Sequence, residues 1–359
     1  MNTEDNMNST DCCRNETVTS IEEYPSWLST LFLLFAVVGF LSNILVSITI
    51  LKCQFLHDVT HYLILNLAVS DSLCCFMFGL EMFLDLLQYP NNDTSGIAEK
   101  LYCRLIHGNY LFQSFAYISA YNLVIISLER YVGIVHPLHY VQICSKVNIT
   151  GALVLAWLLG FCAYTVHLFG VVYDPSKATY LSRCWLEHDW RWHFVPFVGG
   201  FIIPLITMIW AYTRIIQTLK QSALAQDVSL QVTEMREATR RTVYLMLTVT
   251  IAYMILYIPT QPAYMVIVNV KLGIFELSPL GMLLTDLASK LPVFLNSFIN
   301  PFIYAFKYKK FRNGLRGVLC TPRRNGAVLQ DQSHLRGGGS LPTLSQSLET
   351  LSTCQPAGS

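Results

Sequence analysis

The chain has 359 residues, 53% of them hydrophobic and 13% charged, whereas an ordinary soluble domain carries roughly 25% charged residues; the shortfall argues against a soluble enzyme. Lys plus Arg 24 against Asp plus Glu 23 leaves a formal charge of +1, without the bulk basic field that holds nucleic acid by phosphate neutralisation. The apolar residues come in blocks of about 20 or more, the length a helix needs to cross a ~30 Å hydrocarbon core.

An acidic first segment, residues 1–26, precedes seven such blocks, at about Trp27–Leu51, Tyr62–Leu87, Leu105–Val135, Ile149–Val172, His193–Leu219, Arg241–Val270 and Leu280–Phe306. None alternates as β-barrel strands do, so helices satisfy the backbone in lipid and the fold class is all-α. With the N-terminus outside, 16 of the 24 Lys and Arg fall on the inner side, which sets the orientation as N-outside and C-inside. Residues 1–26 lack the features of a signal peptide, so the first span reads as an uncleaved anchor. Asn8, Asn15 and Asn92 head glycosylation sequons on the outer side, whereas the sequon at Asn148 falls inside and stays bare.

Most of the 11 cysteines sit in or beside spans, where cysteine is a small packing residue. Cys103, at the outer start of the third span, and Cys184, in the loop before the fifth, both face the oxidising side, where a bridge forms and persists. Cys12 and Cys13 stay open as alternative partners.

Polar residues at membrane depth are costly and mark function. Asp71 lies deep in the second span, with Asn43, Ser119, Asn296, Ser297 and Asn300 at similar depth and no buried Lys or Arg to pair with it. A carboxylate ringed by hydroxyls and amides suits a small hard cation such as sodium, or else is protonated; the plain alternative is a polar network that joins helices. Pro204, Pro259 and Pro301 lie inside spans, and each frees the carbonyl four residues earlier, which makes bends that a ligand can reset. At the inner end of the third span stands Glu129-Arg130-Tyr131, where Glu129 can neutralise Arg130 and later release it.

These residues, in this order and register, resemble the rhodopsin-like G protein-coupled receptors. The resemblance runs through Ser42-Asn43, Asn66 to Asp71, Cys103, Glu129-Arg130-Tyr131, Trp157, Cys184, Pro204, Tyr212, Pro259 and Asn300-Pro301-Phe302-Ile303-Tyr304. It implies a seven-transmembrane receptor domain over 27–306. A short amphipathic eighth helix follows over 307–320, ending at Cys320 for palmitoylation, and then a disordered cytoplasmic tail over 321–359. It further implies plasma-membrane residence, an extracellular ligand, and activation of a heterotrimeric G protein through nucleotide exchange, with receptor kinase, arrestin and membrane lipid as further partners. Arg130 would line the G protein crevice, Tyr212 and Tyr304 would stabilise the open form, and Asp71, Ser119, Asn296, Ser297 and Asn300 would bind an allosteric sodium ion, with no other cofactor. Three departures stand out. Tyr257 replaces the usual tryptophan two residues before Pro259, and Tyr253 a usual phenylalanine. Thr239 occupies the place of an acidic residue that often holds the arginine, and the spacing from Cys103 to Arg130 is two residues longer than usual.

Counting back from Arg130, Phe112 replaces the aspartate of amine receptors, with Gln113 beside it and Asn109 one turn outward. The opsin lysine position is Phe294, and Lys290 lies one turn further out. The remaining upper set, Glu81, Asp85, Tyr117, Tyr257, Gln261, Tyr264, Asp286 and Lys290, is mixed in charge and aromatic, which favours a peptide over a non-amine small molecule. No internal repeat supports the rival reading as a polytopic transporter, and no metal-ligand spacing, nucleophile elbow or phosphate-cradling glycine loop supports an enzyme.

Overall fold

The computed structural model describes residues 24–89, 96–174, 184–186, 194–223, 230–271, 274 and 276–320. Asn8, Asn15, Asn92 and the segment 321–359 lie outside the described residues. Seven helices are long and apolar enough to cross a membrane, as the sequence predicts. The main helices are α1 (Ser26–Lys52), α2 (Val59–Leu86), α3 (Tyr110–Val135), α4 (Lys146–Ala163), α5 (Ile203–Ala223), α6 (Leu230–Lys271), α7 (Pro279–Lys307) and the short α8 (Lys309–Cys320). One addition to the all-helical reading is a hairpin in which β1 (Val171–Tyr173) pairs antiparallel with β2 (Cys184–Leu186).

The burial pattern is that of a protein dissolved in lipid. Asn43, Asp71 and Ser119 are fully buried, while Leu34 and Ile255 are 61% and 64% exposed; polar groups face the bundle interior and apolar ones the hydrocarbon. Side-chain caps start α2 and α7: Asp58 accepts from the His61 N–H at 2.9 Å, and Ser278 from the Gly281 N–H at 3.2 Å, where Pro279 takes the first helical position. Helices approach closely through small residues. A Cβ on Gly160 of α4 would lie 2.3 Å from Ile118 Cγ1 of α3.

Two irregular turns set the register of the core. Ahead of α3, a helix at Ile97–Tyr102 opens into a π turn at Cys103–His107, and Asn109 adopts a left-handed backbone at φ 58°. The long Cys103–Arg130 spacing is taken up there, ahead of Tyr110, and α3 then runs unbroken to Arg130. A second π turn, Val198–Ile202, leads into α5. Pro204 has no N–H for the Gly200 carbonyl, and the Tyr253 hydroxyl of α6 donates to that carbonyl at 3.3 Å. A Cβ on Gly200 would fall 2.2 Å from the Tyr117 ring, so glycine is what lets α5 meet α3.

Candidate functional site

Three groups of side chains lie along the bundle axis. In the middle, Asp71 accepts from the Ser119 hydroxyl at 2.7 Å through one oxygen and from the Asn300 amide at 2.7 Å through the other, which joins α2, α3 and α7. The carbonyl of Ser297, freed by Pro301, accepts from the Asn43 amide at 3.0 Å. Around this core Asn43 Oδ1, Asn300 Oδ1 and both polar atoms of Asn296 are buried without a hydrogen-bond partner among the described residues. One carboxylate with neutral oxygens still able to accept is a donor set that fits a small hard cation. No group of three or more His, Cys, Asp or Glu among the described residues is placed to hold a metal ion. Beside this core, Trp157 Nε1 donates to Asn66 Oδ1 at 3.2 Å and Asn66 donates to Asn122 at 2.7 Å, tying α4, α2 and α3 together.

At one end, Arg130 is held closed by its neighbours. Its Nε donates to Glu129 Oε2 at 2.5 Å, and its Nη2 reaches both Glu129 Oε1 and the Thr60 hydroxyl. Tyr140, on a one-turn helix at Tyr140–Ile143, donates to Glu129 Oε1 at 2.6 Å. Thr60 and Tyr140 were missed by sequence reasoning, because their bonds depend on how α2 and that turn pack against α3. Tyr131 points elsewhere: its ring lies 4.7 Å from that of Trp210 and its hydroxyl shares a bond with His136. Thr250 donates to Tyr212 at 3.4 Å, and the Tyr304 hydroxyl is buried without a partner among the described residues. Arg130, Thr60 and Tyr140 line a cavity of about 890 Å³ whose far wall includes Arg241 and Leu245 of α6. The side chain of Thr239 lies outside the described residues.

Nearby, His61 links α2 to the junction of α7 and α8, with Nδ1 2.6 Å from Asp58 and Nε2 2.9 Å from the Tyr308 hydroxyl. Burial raises the Asp58 carboxyl, but the hydrogen bonds from His61 outweigh it and hold the group below its ordinary value.

At the opposite end Cys103 and Cys184 are bridged, with Cα atoms 5.3 Å apart. The predicted ligand residues divide here. Gln113, Tyr117, Tyr257, Gln261 and Tyr264 line one cavity of about 20 Å³, together with Tyr164, Thr260, Ser289 and Val293. Tyr164 donates to the Tyr264 hydroxyl at 2.9 Å, Tyr264 also bonds His167, and the Tyr164 and His167 rings stack at 3.8 Å. Glu81, Asp286 and Lys290 form a separate ionic group: Lys290 Nζ lies 2.8 Å from Glu81 and 3.3 Å from Asp286. Tyr24 donates to Asp286, and Ser29 to Asp85 at 2.6 Å, so the start of α1 is tied to α7 and α2. Phe112 belongs to neither group; its ring packs 5.8 Å from Phe78, which stacks 4.4 Å from Phe294. Asn109 sits in the turn before α3. Tyr24, Ser29, Tyr164 and His167 carry no motif that marks them in the sequence.

Tyr253 and Tyr257 lie between the two ends with ring centroids 4.3 Å apart and planes tilted by 34°, both fully buried, and Tyr257 donates to the Ala116 carbonyl at 3.5 Å. Hydroxyls thus join α6 to the turn before α5 and to α3 at the positions where phenylalanine and tryptophan are usual.

Comparison with known proteins agrees with this geometry. The profile of the 7 transmembrane receptor (rhodopsin family) matches residues 42–304. The chain is similar to Galanin receptor 2a of Danio rerio, 26% identical over 84% of this chain and 80% of that one. It is also similar to C-C chemokine receptor type 8 of Mus musculus, 25% identical over 81% and 79% of the two chains. Against Allatostatin-A receptor of Bombyx mori the identity is 25%, over 80% of this chain and 78% of the relative. These relatives are receptors and not enzymes. With seven spans, the bridged Cys103 and Cys184 and a profile match across the bundle, the chain belongs to the rhodopsin family of seven-transmembrane receptors.

Proposed function

We propose that this receptor sits in the plasma membrane with its N-terminus outside, takes a peptide at the disulfide end, and promotes nucleotide exchange on a heterotrimeric G protein at the Arg130 end. The observation that carries this reading is the closed arginine: Arg130 is held by Glu129 and Thr60 on the wall of a cavity of about 890 Å³. α6 walls that cavity with Arg241 and Leu245, and the same helix carries Tyr257, Gln261 and Tyr264 to the other end. A ligand that separates Tyr264 from Tyr164 and His167 therefore acts on the helix that also walls the Arg130 cavity, through the proline-bearing stretch at Pro259.

A peptide is favoured because the polar groups at this end are spread over α1, α2, α6 and α7 rather than gathered in one pocket. The names of the relatives, receptors for galanin, C-C chemokine and allatostatin-A, agree with such a ligand. Asp71, Ser119, Asn296, Ser297 and Asn300 would hold a sodium ion, whose charge would compensate Asp71 in the closed form. Cys320 as a palmitoylation site, glycans on Asn8, Asn15 and Asn92, and kinase and arrestin action on residues 321–359 complete the proposal.

The test is a screen of synthetic peptides for nucleotide exchange in membranes bearing the wild-type chain. A hit whose potency falls about tenfold or more in Gln261→Ala and Tyr264→Phe, at equal surface expression, supports the site. A hit indifferent to both contradicts it.

A further inference from the structure

The first turn of α2 makes two connections on consecutive residues. Thr60 accepts from the Arg130 guanidinium and donates to Glu129 at 3.2 Å, both on α3. The next residue, His61, is 2% exposed and uses both ring nitrogens: Nδ1 lies 2.6 Å from Asp58, the N-cap of α2, and Nε2 lies 2.9 Å from the Tyr308 hydroxyl. A carboxylate only accepts, so the Asp58 bond places a proton on Nδ1 and leaves Nε2 to pair with Tyr308. The two rings also stack, with centroids 5.6 Å apart and planes 18° apart.

Tyr308 is the single residue between α7, which ends at Lys307, and α8, which begins at Lys309. Its backbone is extended, at φ −109° and ψ 99°, so the angle between the two helices is set there. Of the two prolines inside α7, Pro301 lies nearer this joint, and a proline is where a helix bends. A bend at Pro301 moves the inner end of α7 relative to α3, with Tyr304 and Tyr308 on it, unless Tyr308 is held. Tyr308, His61, Thr60 and Arg130 line the same cavity of about 890 Å³, so whatever holds Tyr308 also fixes one wall beside the arginine.

We propose that His61 is a positioning residue for G protein activation: it ties the α7–α8 joint to the turn of α2 that clasps Arg130, so that release of Arg130 and resetting of the inner end of α7 occur together. Loss of the tie raises nucleotide exchange without ligand. The effect on exchange rests on the receptor reading above; the tie itself is tested without G protein.

The experiment uses the purified full chain in nanodiscs, as wild type, Tyr308→Phe, His61→Asn, His61→Gln, and His61→Asn combined with Tyr308→Phe. Asparagine places its amide near Nδ1 and keeps the Asp58 partner, whereas glutamine places it near Nε2 and keeps the Tyr308 partner. Thermal unfolding is read without G protein, and basal nucleotide exchange is read separately on a panel of heterotrimeric G proteins at matched receptor amounts. The double variant is expected to melt close to the lower of its two single variants and not at the sum of their losses. Exchange is expected to rise about fivefold in Tyr308→Phe and in His61→Asn, the effect of one lost hydrogen bond, to rise no further in the double variant, and to rise less in His61→Gln. Additive melting losses overturn the tie. Unchanged exchange in Tyr308→Phe and His61→Asn overturns the positioning role, provided Arg130→Ala abolishes exchange in the same preparation. An equal rise in His61→Gln and His61→Asn overturns it too, since a general loosening of the fold would give that result. Absence of exchange in every preparation counts against the receptor reading and leaves the melting result to decide the tie.

Discussion

The hydroxyl of Tyr140 donates a 2.6 Å hydrogen bond to Oε1 of Glu129, the same oxygen that Arg130 and Thr60 approach. Tyr140 thus orients the carboxylate that keeps Arg130 folded back on its own helix. In Tyr140→Phe the carboxylate loses one donor, a change of about 1 kcal/mol. Basal nucleotide exchange is expected to rise about fivefold at equal expression. Unchanged or lower basal exchange would show that Tyr140 does not restrain the arginine.

Gly200 and Tyr253 form one device at the α5 bend. Gly200→Ala places a methyl 2.2 Å from the Tyr117 ring, an overpacking that costs about 1–3 kcal/mol. Tyr253→Phe only removes the donor to the Gly200 carbonyl, at about 1 kcal/mol. Thermal unfolding of the purified chain is expected to rank wild type above Tyr253→Phe and Tyr253→Phe above Gly200→Ala. The reverse order for the two variants would refute this account of the bend.

Lys290 is flanked by the carboxylates of Glu81 and Asp286. Lys290→Met leaves a buried Glu81 uncompensated, a loss of about 3 kcal/mol. Adding Glu81→Gln to Lys290→Met is expected to recover part of that loss, because the stranded charge is gone. Additive losses in melting temperature would mean that the two side chains are not coupled.

Asp71→Asn tests the proposed cation site. In wild type, basal exchange is expected to fall when sodium replaces a large organic cation at constant ionic strength; Asp71→Asn is expected to show no difference between the two salts. Sodium dependence that persists in Asp71→Asn would place the effect elsewhere.

What the sequence revealed follows the range of the physics involved. Spans, helix class and the polar core around Asp71 depend on local composition and depth, and the structure brings Ser119 and Asn300 onto that carboxylate. The freed Ser297 carbonyl was legible because proline acts four residues away on its own helix, although its acceptance from Asn43 needed the packing of α1 on α7. Glu81 and Lys290 were both noticed as upper-bundle charges, but 209 residues separate them and only the bundle shows that they pair. The long Cys103–Arg130 spacing looked like an uncertainty of register; Gly108-Asn109 is a turn signal and marks where α3 begins. Phe112 was placed with the ligand residues because its position is a contact in amine receptors, yet an aromatic side chain there packs into Phe78. Strands of three residues, as in the β1–β2 hairpin, are too short for a hydrophobic period to register.

The central claim is that Arg130 is the group through which this bundle acts on a G protein. The most direct measurement is guanine-nucleotide exchange on a panel of purified heterotrimeric G proteins, in membranes bearing wild type, Arg130→Ala, or neither, at matched expression and without ligand. The account predicts exchange above empty membranes for wild type with at least one G protein, and none above that level for Arg130→Ala. Exchange that survives intact in Arg130→Ala would contradict it.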